Sequence, residues 1–353
     1  MPKYFNFVAT WNWWLRYAFS HAGLKSTTTD LGDGTVIHCW LPKAHTHSKP
    51  NLLLIHGLGA NAMWHWGDFI SSLIPHFNVY VPDLVFFGDS YTTRPDRSEA
   101  FQARCLMALM EAQGMVKTMS IAGISYGGFV AYSMAAQFRE RVERVVLCCA
   151  GVCMEDKDLE EGMFLVRSLD EAVSVLLPRS PEKMRDLMRL TLVKPNHKAV
   201  PNCFLNDFIH MMCTEHFQEK KELVEALHHG RKLSDLPKIT QPTLIIWGDK
   251  DRVFPLELAH RLKRHLGENA QLVILKNTGH AINGEKPKEM CKHMKSFLID
   301  RPLPSRKQLS NHSNDHKVDC NWYDIEKDVD KSLSMQKSTD YCPSLLRKLA
   351  LVG

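Results

Sequence analysis

Two kinds of apolar pattern alternate along the chain. Largely apolar runs occur at 51–56, 78–81, 120–122, 142–149 (with Glu143 and Arg144 near its start), 243–247 and 271–275, the first bounded by Pro50 and Gly57. A run with no polar face fits a strand covered on both sides of a parallel sheet. Between these runs, apolar residues recur at helical spacing over 98–113, 129–136, 257–266 and 285–299. Leu31-Gly32-Asp33-Gly34 marks a turn, and 35–41 after it reads as one strand of a hairpin at the sheet edge. Strands alternating with helices predict an α/β fold, a mainly parallel β-sheet flanked by helices on both faces.

The alternation breaks between 150 and 240, where helical patterns follow one another with charged faces and no strand-like run. This reads as an inserted helical cap. In an open parallel sheet the loops that carry chemistry lie at the carboxyl ends of the strands, so a cap inserted there would roof the site. At the start, residues 4–22 hold Tyr4, Phe5, Phe7, Trp11, Trp13, Trp14, Tyr17 and Phe19. Val8, Trp11, Trp14 or Leu15, and Ala18 or Phe19 recur at helical spacing. Such a helix packs its aromatic face on the domain, the reading favoured here because its basic face is thin, or lies in a membrane interface flanked by Lys3, Arg16 and Lys25. After Pro302 serine, lysine, aspartate, asparagine and histidine dominate, as in a disordered tail. The organisation expected is an aromatic amphipathic helix (1–30), a core in two parts (31–152 and 237–302), the cap (153–236) and the polar tail (303–353).

Composition narrows the classes. The 353 residues are 44% hydrophobic and 24% charged, as in an ordinary globular protein, and a net charge of +5 with no long basic run argues against a nucleic-acid partner. The ten cysteines are scattered without a C-x-x-C pair, and several fall inside apolar runs, so they read as reduced, buried small hydrophobes. Cys148, Cys149 and Cys153 lack histidines at zinc-like spacing. No stretch reaches the roughly 18 apolar residues that span a bilayer. The first residues are too interrupted by Asn6, Thr10, Asn12 and Arg16 for a secretory signal. The expectation is a cytoplasmic protein with peripheral membrane contact through residues 4–22 as the alternative.

Chemistry concentrates in four stretches. Gly123-Ile124-Ser125-Tyr126-Gly127 sits between an apolar strand and a helix-like run, the context in which Gly-x-Ser-x-Gly is a nucleophile elbow. The pattern alone arises by chance about one time in ten in a chain of this length; its weight comes from what accompanies it. His56-Gly57-Leu58-Gly59 ends a strand. Its glycines let the backbone approach a reacting oxygen, with the Leu58 amide as one oxyanion donor and the Tyr126 amide as the second. Trp247-Gly248-Asp249-Lys250-Asp251-Arg252 follows another strand and offers two carboxylates. Spacing does not choose between Asp249 and Asp251. His280 follows the last strand in Thr278-Gly279-His280-Ala281.

Together HGLG at 56–59, PDLVFFGDS at 82–90, GISYGG at 123–128, WGDKDRVFP at 247–255 and GHAINGEKP at 279–287 resemble the α/β-hydrolase fold superfamily in its capped branch. With its aromatic opening, the whole chain resembles uncharacterised plant members. The resemblance implies a Ser125–His280–Asp251 triad, since the acid of W-G-x-x-D-x-x-x-P falls on Asp251 and leaves Asp249 to the turn. His56, Gly57, Gly123 and Gly127 support the motifs. It implies hydrolysis of a small hydrophobic ester or acyl substrate through an acyl-enzyme, with no cofactor and no metal. Carbon–carbon bond hydrolysis, a ligand receptor that keeps the triad, and a membrane-associated lipase are the alternatives. Serine in place of the aspartate of epoxide hydrolases and haloalkane dehalogenases disfavours those chemistries. Phe86 stands where the family has glycine, either narrowing the site or packing in the core.

Overall fold

The computed structural model describes residues 6–115, 117–195 and 199–299. The polar tail, and Lys3, Tyr4 and Phe5 at the start, lie outside the described residues. Strands β1 (Leu24–Asp30) and β2 (Thr35–Pro42) form the edge hairpin, in register from Leu24 opposite Pro42 to Asp30 opposite Val36. β1 is polar and mostly exposed, which is why the sequence shows the turn more clearly than the strand. Then come β3 (Asn51–Ile55), β4 (Asn78–Pro82), the two-residue β5 (Tyr91–Thr92), β6 (Met119–Ile124), β7 (Val142–Cys148), β8 (Thr243–Gly248) and β9 (Ala270–Leu275). The sheet order is β1-β2-β4-β3-β6-β7-β8-β9, with β5 against β2. β2 pairs antiparallel with β1, β4 and β5, and every pairing from β4 to β9 is parallel. All residues of β3, β4, β6 and β8 are buried, the physical source of the unbroken apolar runs.

α2 (Ala62–Leu73) links β3 to β4, and α3 (Glu99–Ala112) links β5 to β6. From β3 the chain thus moves outward to β4 and then returns to the other side of β3. Such a reversal opens a crevice at the carboxyl ends of β3 and β6. α2 has no counterpart among the expected helices. Met63, Trp66, Phe69, Ile70 and Leu73 are buried, while Asp68 and Ser71 are exposed, so the helix keeps one narrow polar face. α4 (Tyr126–Gln137) follows β6 directly, and α10 (Leu256–Leu266) follows β8. The pattern over 285–299 resolves into α11 (Ile282–Glu285) and α12 (Pro287–Ile299), with Pro287 at the first helical position, where its missing N–H costs nothing.

Between β7 and β8 lie α5 (Asp156–Glu160), α6 (Leu169–Leu176), α7 (Pro181–Thr191), α8 (Asn202–Met212) and α9 (Phe217–His228), with no strand among the described residues. Charged pairs tie this segment to the sheet layer. Arg261 on α10 grips the buried Asp158 carboxylate with two N–H donors, at 2.6 and 3.0 Å. Arg231 donates to Glu99 at 2.7 Å, and Arg97 to Glu222 on α9 at 2.7 Å.

α1 (Phe7–His21) is capped by Asn6, whose side-chain oxygen accepts from the Ala9 amide at 2.8 Å. Val8, Trp11, Leu15 and Phe19 are buried, and the Trp64 indole donates to Asn12 at 3.1 Å. The other face is also aromatic: Trp13, Trp14 and Tyr17 are 66%, 45% and 56% exposed. Docking therefore uses only two of the six phenylalanine, tryptophan and tyrosine rings of α1, those of Trp11 and Phe19. No helix among the described residues is long and apolar enough to cross a membrane.

Candidate active site

Ser125 stands between the last residue of β6 and the first of α4, with φ 51° and ψ −122°. A serine in that region of backbone space costs about 1–3 kcal/mol, and the flanking glycines make the turn feasible. A Cβ on Gly123 would lie 2.2 Å from the Gly127 carbonyl oxygen, and one on Gly127 would lie 2.3 Å from that of His56. The Ser125 amide donates to Cys148 at 2.8 Å, and the Ser125 carbonyl accepts from Gly128 at 2.8 Å, so the turn is pinned at both ends. The serine is 9% exposed.

His280, from the loop after β9, meets Ser125 Oγ through Nε2 at 2.9 Å. Its Nδ1 faces Asp251 Oδ2, also at 2.9 Å. Asp251 Oδ1 accepts from the amides of Val253 and Phe254, each at 2.9 Å. The carboxylate is thus held on both oxygens, and with His280 it fixes a proton on Nδ1 so that Nε2 is free to accept. Asp249 points elsewhere, accepting from the Thr278 amide at 3.2 Å and tying the β8 loop to the histidine loop. Glu285 accepts from the Gly279 amide at 2.6 Å and from Val193 at 2.9 Å. The sequence reading gave Glu285 no role, although it lies within the quoted GHAINGEKP stretch. The Phe254 ring meets the His280 ring edge-on at 5.5 Å.

The His56–Gly59 loop passes beside the nucleophile: a Cβ on Gly57 would lie 3.1 Å from Ser125 Cβ and 3.7 Å from its Oγ. His56 points away from the serine. Its Nδ1 donates to the Gly57 carbonyl at 2.7 Å and its Nε2 accepts from the Leu84 amide at 2.9 Å, so the neutral ring links this loop to the one after β4. Burial pushes the His56 pKa down, in keeping with a neutral ring. Leu58 packs against the cluster of Val173, Leu177 and Val224, bringing the helical segment to the loop's tip. Tyr126 opens α4, where an amide has no acceptor within its own helix. Its phenol is buried, and burial raises its pKa.

Phe86 is buried with φ 76°, and the Arg97 guanidinium lies over its ring, 4.7 Å from the centroid. The position that is glycine in the family requires the left-handed region, and here a packed aromatic bears that strain. Next to it, Lys220 of α9 is buried over Phe87 at 4.9 Å and donates to the carbonyls of Met212 and Glu215 at 3.0 and 2.9 Å. Burial lowers its pKa. Beyond Phe254 opens an apolar cavity of about 80 Å³, lined among others by Met154, Phe164, Leu176, Leu190 and Leu227. Of the methionines and phenylalanines between 163 and 217, Phe164 lines this cavity. Met184, Met188, Phe204, Phe208 and Met212 are buried core, while Met163, Met211 and Phe217 pack partly buried against it.

Seven of the eight cysteines among the described residues are buried, Cys203 is exposed, and none is in a disulfide. Cys149, with φ 45° just past β7, has its thiol within 4.8 Å of the Asp251 carboxylate. No sequence spacing announces that contact.

A parallel sheet of this order, with a strained serine after β6 and a histidine after β9, defines an α/β-hydrolase architecture. The alpha/beta hydrolase family model matches residues 52–293, and the chain belongs to that family. It is 26% identical to Lipase 3 of Moraxella sp. (strain TA144), over 78% of this chain and 84% of that one. It is 28% identical to the monoacylglycerol lipase abhd6-A of Xenopus laevis, over 75% and 80%. The crystal structure of lip1 from Acinetobacter baumannii AYE, described as a lipase, superposes with a TM-score of 0.71 at 27% identity, covering 82% of this chain and 95% of that one. These relatives are bacterial and amphibian, so family membership stands without the narrower likeness to plant proteins.

Proposed function

We propose that this chain is a serine hydrolase of carboxylic esters with apolar acyl groups. The observation that carries the reading is the unbroken hydrogen-bonded line from Ser125 Oγ through His280 to Asp251, 2.9 Å at each step. His280 Nε2 takes the proton as Ser125 Oγ attacks the ester carbonyl, and Asp251 stabilises the imidazolium. The Leu58 and Tyr126 amides bind the oxyanion. His280 then returns the proton to the leaving alcohol, and water, activated by the same ring, attacks the acyl-enzyme to release the acid and regenerate Ser125. Helices α5 to α9 serve as a cap (153–236), and the apolar cavity beyond Phe254 takes the acyl group. Names of relatives that contain "lipase" support an ester of a hydrophobic acid. The exposed rings of α1 suit the headgroup layer of a membrane that would hold such a substrate.

A fluorophosphonate probe tests the reading. It should label the wild-type protein at Ser125 and leave Ser125→Ala unlabelled, with turnover of p-nitrophenyl esters lost in parallel. A folded wild-type protein that takes no label sinks the proposal.

A further inference from the structure

Among the described residues one set of three potential metal ligands stands together: Cys149, Asp251 and His280. All three are buried, and their ligand atoms lie within 4.8 Å of one another. Two belong to the line of hydrogen bonds through which Ser125 is activated. The third serves no step of the ester chemistry, yet its backbone occupies the left-handed region at φ 45°. A non-glycine residue is seldom found there, and here it brings the thiol against the back of the Asp251 carboxylate.

The geometry points to a binding site for a thiophilic divalent cation of the zinc class at Cys149 Sγ, Asp251 and His280 Nδ1, occupied at the expense of hydrolysis. The inference rests on the serine-hydrolase reading only for its consequence, not for the site. The donor set is the mixture of thiolate, imidazole and carboxylate that zinc takes, at about 2.0–2.3 Å from each ligand atom. Ligands that close to one ion stand about 3.3–3.7 Å apart, so Nδ1 and Asp251, now 2.9 Å apart, would open by a few tenths of an ångström. Cys149 would close in from its present place. On binding, three bonds form to the metal, from sulfur, nitrogen and oxygen. Two bonds to hydrogen break, S–H at Cys149 and N–H at His280 Nδ1, and both protons pass to solvent with no change of oxidation state. With Nδ1 ligated, Asp251 no longer orients the ring through a hydrogen bond. An imidazole that shares its electrons with a dication is also a poor base toward Ser125. The cation therefore silences the triad without touching the nucleophile. Cys148 is buried in β7 and belongs to no such set of described residues. The site is specific to one of two adjacent cysteines.

Two measurements test this. In the first, ester turnover is followed while zinc chloride is added and then removed with a chelator. Wild-type activity should fall and recover, and Cys149→Ala should need about 10- to 100-fold more zinc for half-inhibition, each protein being compared with its own uninhibited rate. Cys149→Ser serves if the alanine variant does not fold. Equal zinc sensitivity in wild type and variant overturns the proposal. The second measurement needs no activity. Cadmium added to full-length Ser125→Ala should produce the ultraviolet band of a cadmium–thiolate bond, one equivalent of which disappears in Ser125→Ala/Cys149→Ala. A band unchanged by the second substitution overturns the site. A band that depends on Cys149, in a protein whose wild-type form hydrolyses no ester, keeps the metal site and sinks the ester reading instead.

Discussion

Gly127 has no room for a side chain: a Cβ there would meet two carbonyl oxygens of the strand and loop beside it, at 2.3 and 2.5 Å. The same crowding that demands glycine sets Ser125 beside the Gly57–Leu58 backbone, so one steric fact yields both the strained turn and the approach of the loop proposed to bind an oxyanion. At this scale the two aspartates of the β8 loop part company. Asp251 faces the histidine, whereas Asp249 holds a backbone amide. Asp251→Asn should lower ester turnover by about 10⁴-fold, because an amide cannot fix the tautomer that leaves Nε2 free. Asp249→Asn keeps an oxygen for the Thr278 amide and should change turnover by no more than about tenfold. Steady-state kinetics of the two purified variants decides between them, and the opposite ranking would exchange their roles.

α1 is the element whose faces divide its work. Its buried stripe docks on α2, and the ring line from Trp13 through Tyr17 to His21 runs along the outside, with centroid separations of 6.1 and 5.7 Å. Rings with an apolar body and a polar edge favour a lipid headgroup layer, each by about 1 kcal/mol. Trp13→Ala/Trp14→Ala/Tyr17→Ala should therefore reduce vesicle partitioning on the order of 100-fold while leaving the circular dichroism unchanged. Liposome flotation measures it, and equal flotation of the variant and wild type would remove lipid contact from the role of this face. The helices α5 to α9 illustrate a different point. Their fastening to the sheet layer by Arg261, Arg231 and Arg97 depends on carboxylates distant in sequence, and no local pattern marks those residues as fasteners.

For the molecule as a whole, the buried histidines set an acid limit. Burial lowers the pKa of His56, and of His265 and His293 less completely enclosed, from the ordinary 6.5. A base whose native pKa is depressed binds its proton more readily when unfolded, so stability is complete above 6.5 and declines as pH falls toward the native value. His56 alone gives a slope of at most about 1.4 kcal/mol per pH unit in that window. Urea midpoints should be level between pH 8 and 7 and fall steadily between pH 6.5 and 5, with a shallower fall in His56→Asn. A wild-type profile flat to pH 5 would contradict it.

The sequence by itself determined the parallel strands, the elbow and the order of serine, aspartate and histidine. Strands covered on both faces leave unbroken apolar runs, and a tight turn leaves glycines, both of which are local signals. Family resemblance, not spacing, directed attention to Asp251. Tertiary structure alone decided the rest. It revealed the two-faced use of α1. It placed Phe86 in a glycine's backbone conformation and Cys149 behind Asp251. Each of these depends on which surfaces meet after the chain has folded, and side chains far apart in the sequence carry no shared period from which that meeting could be read.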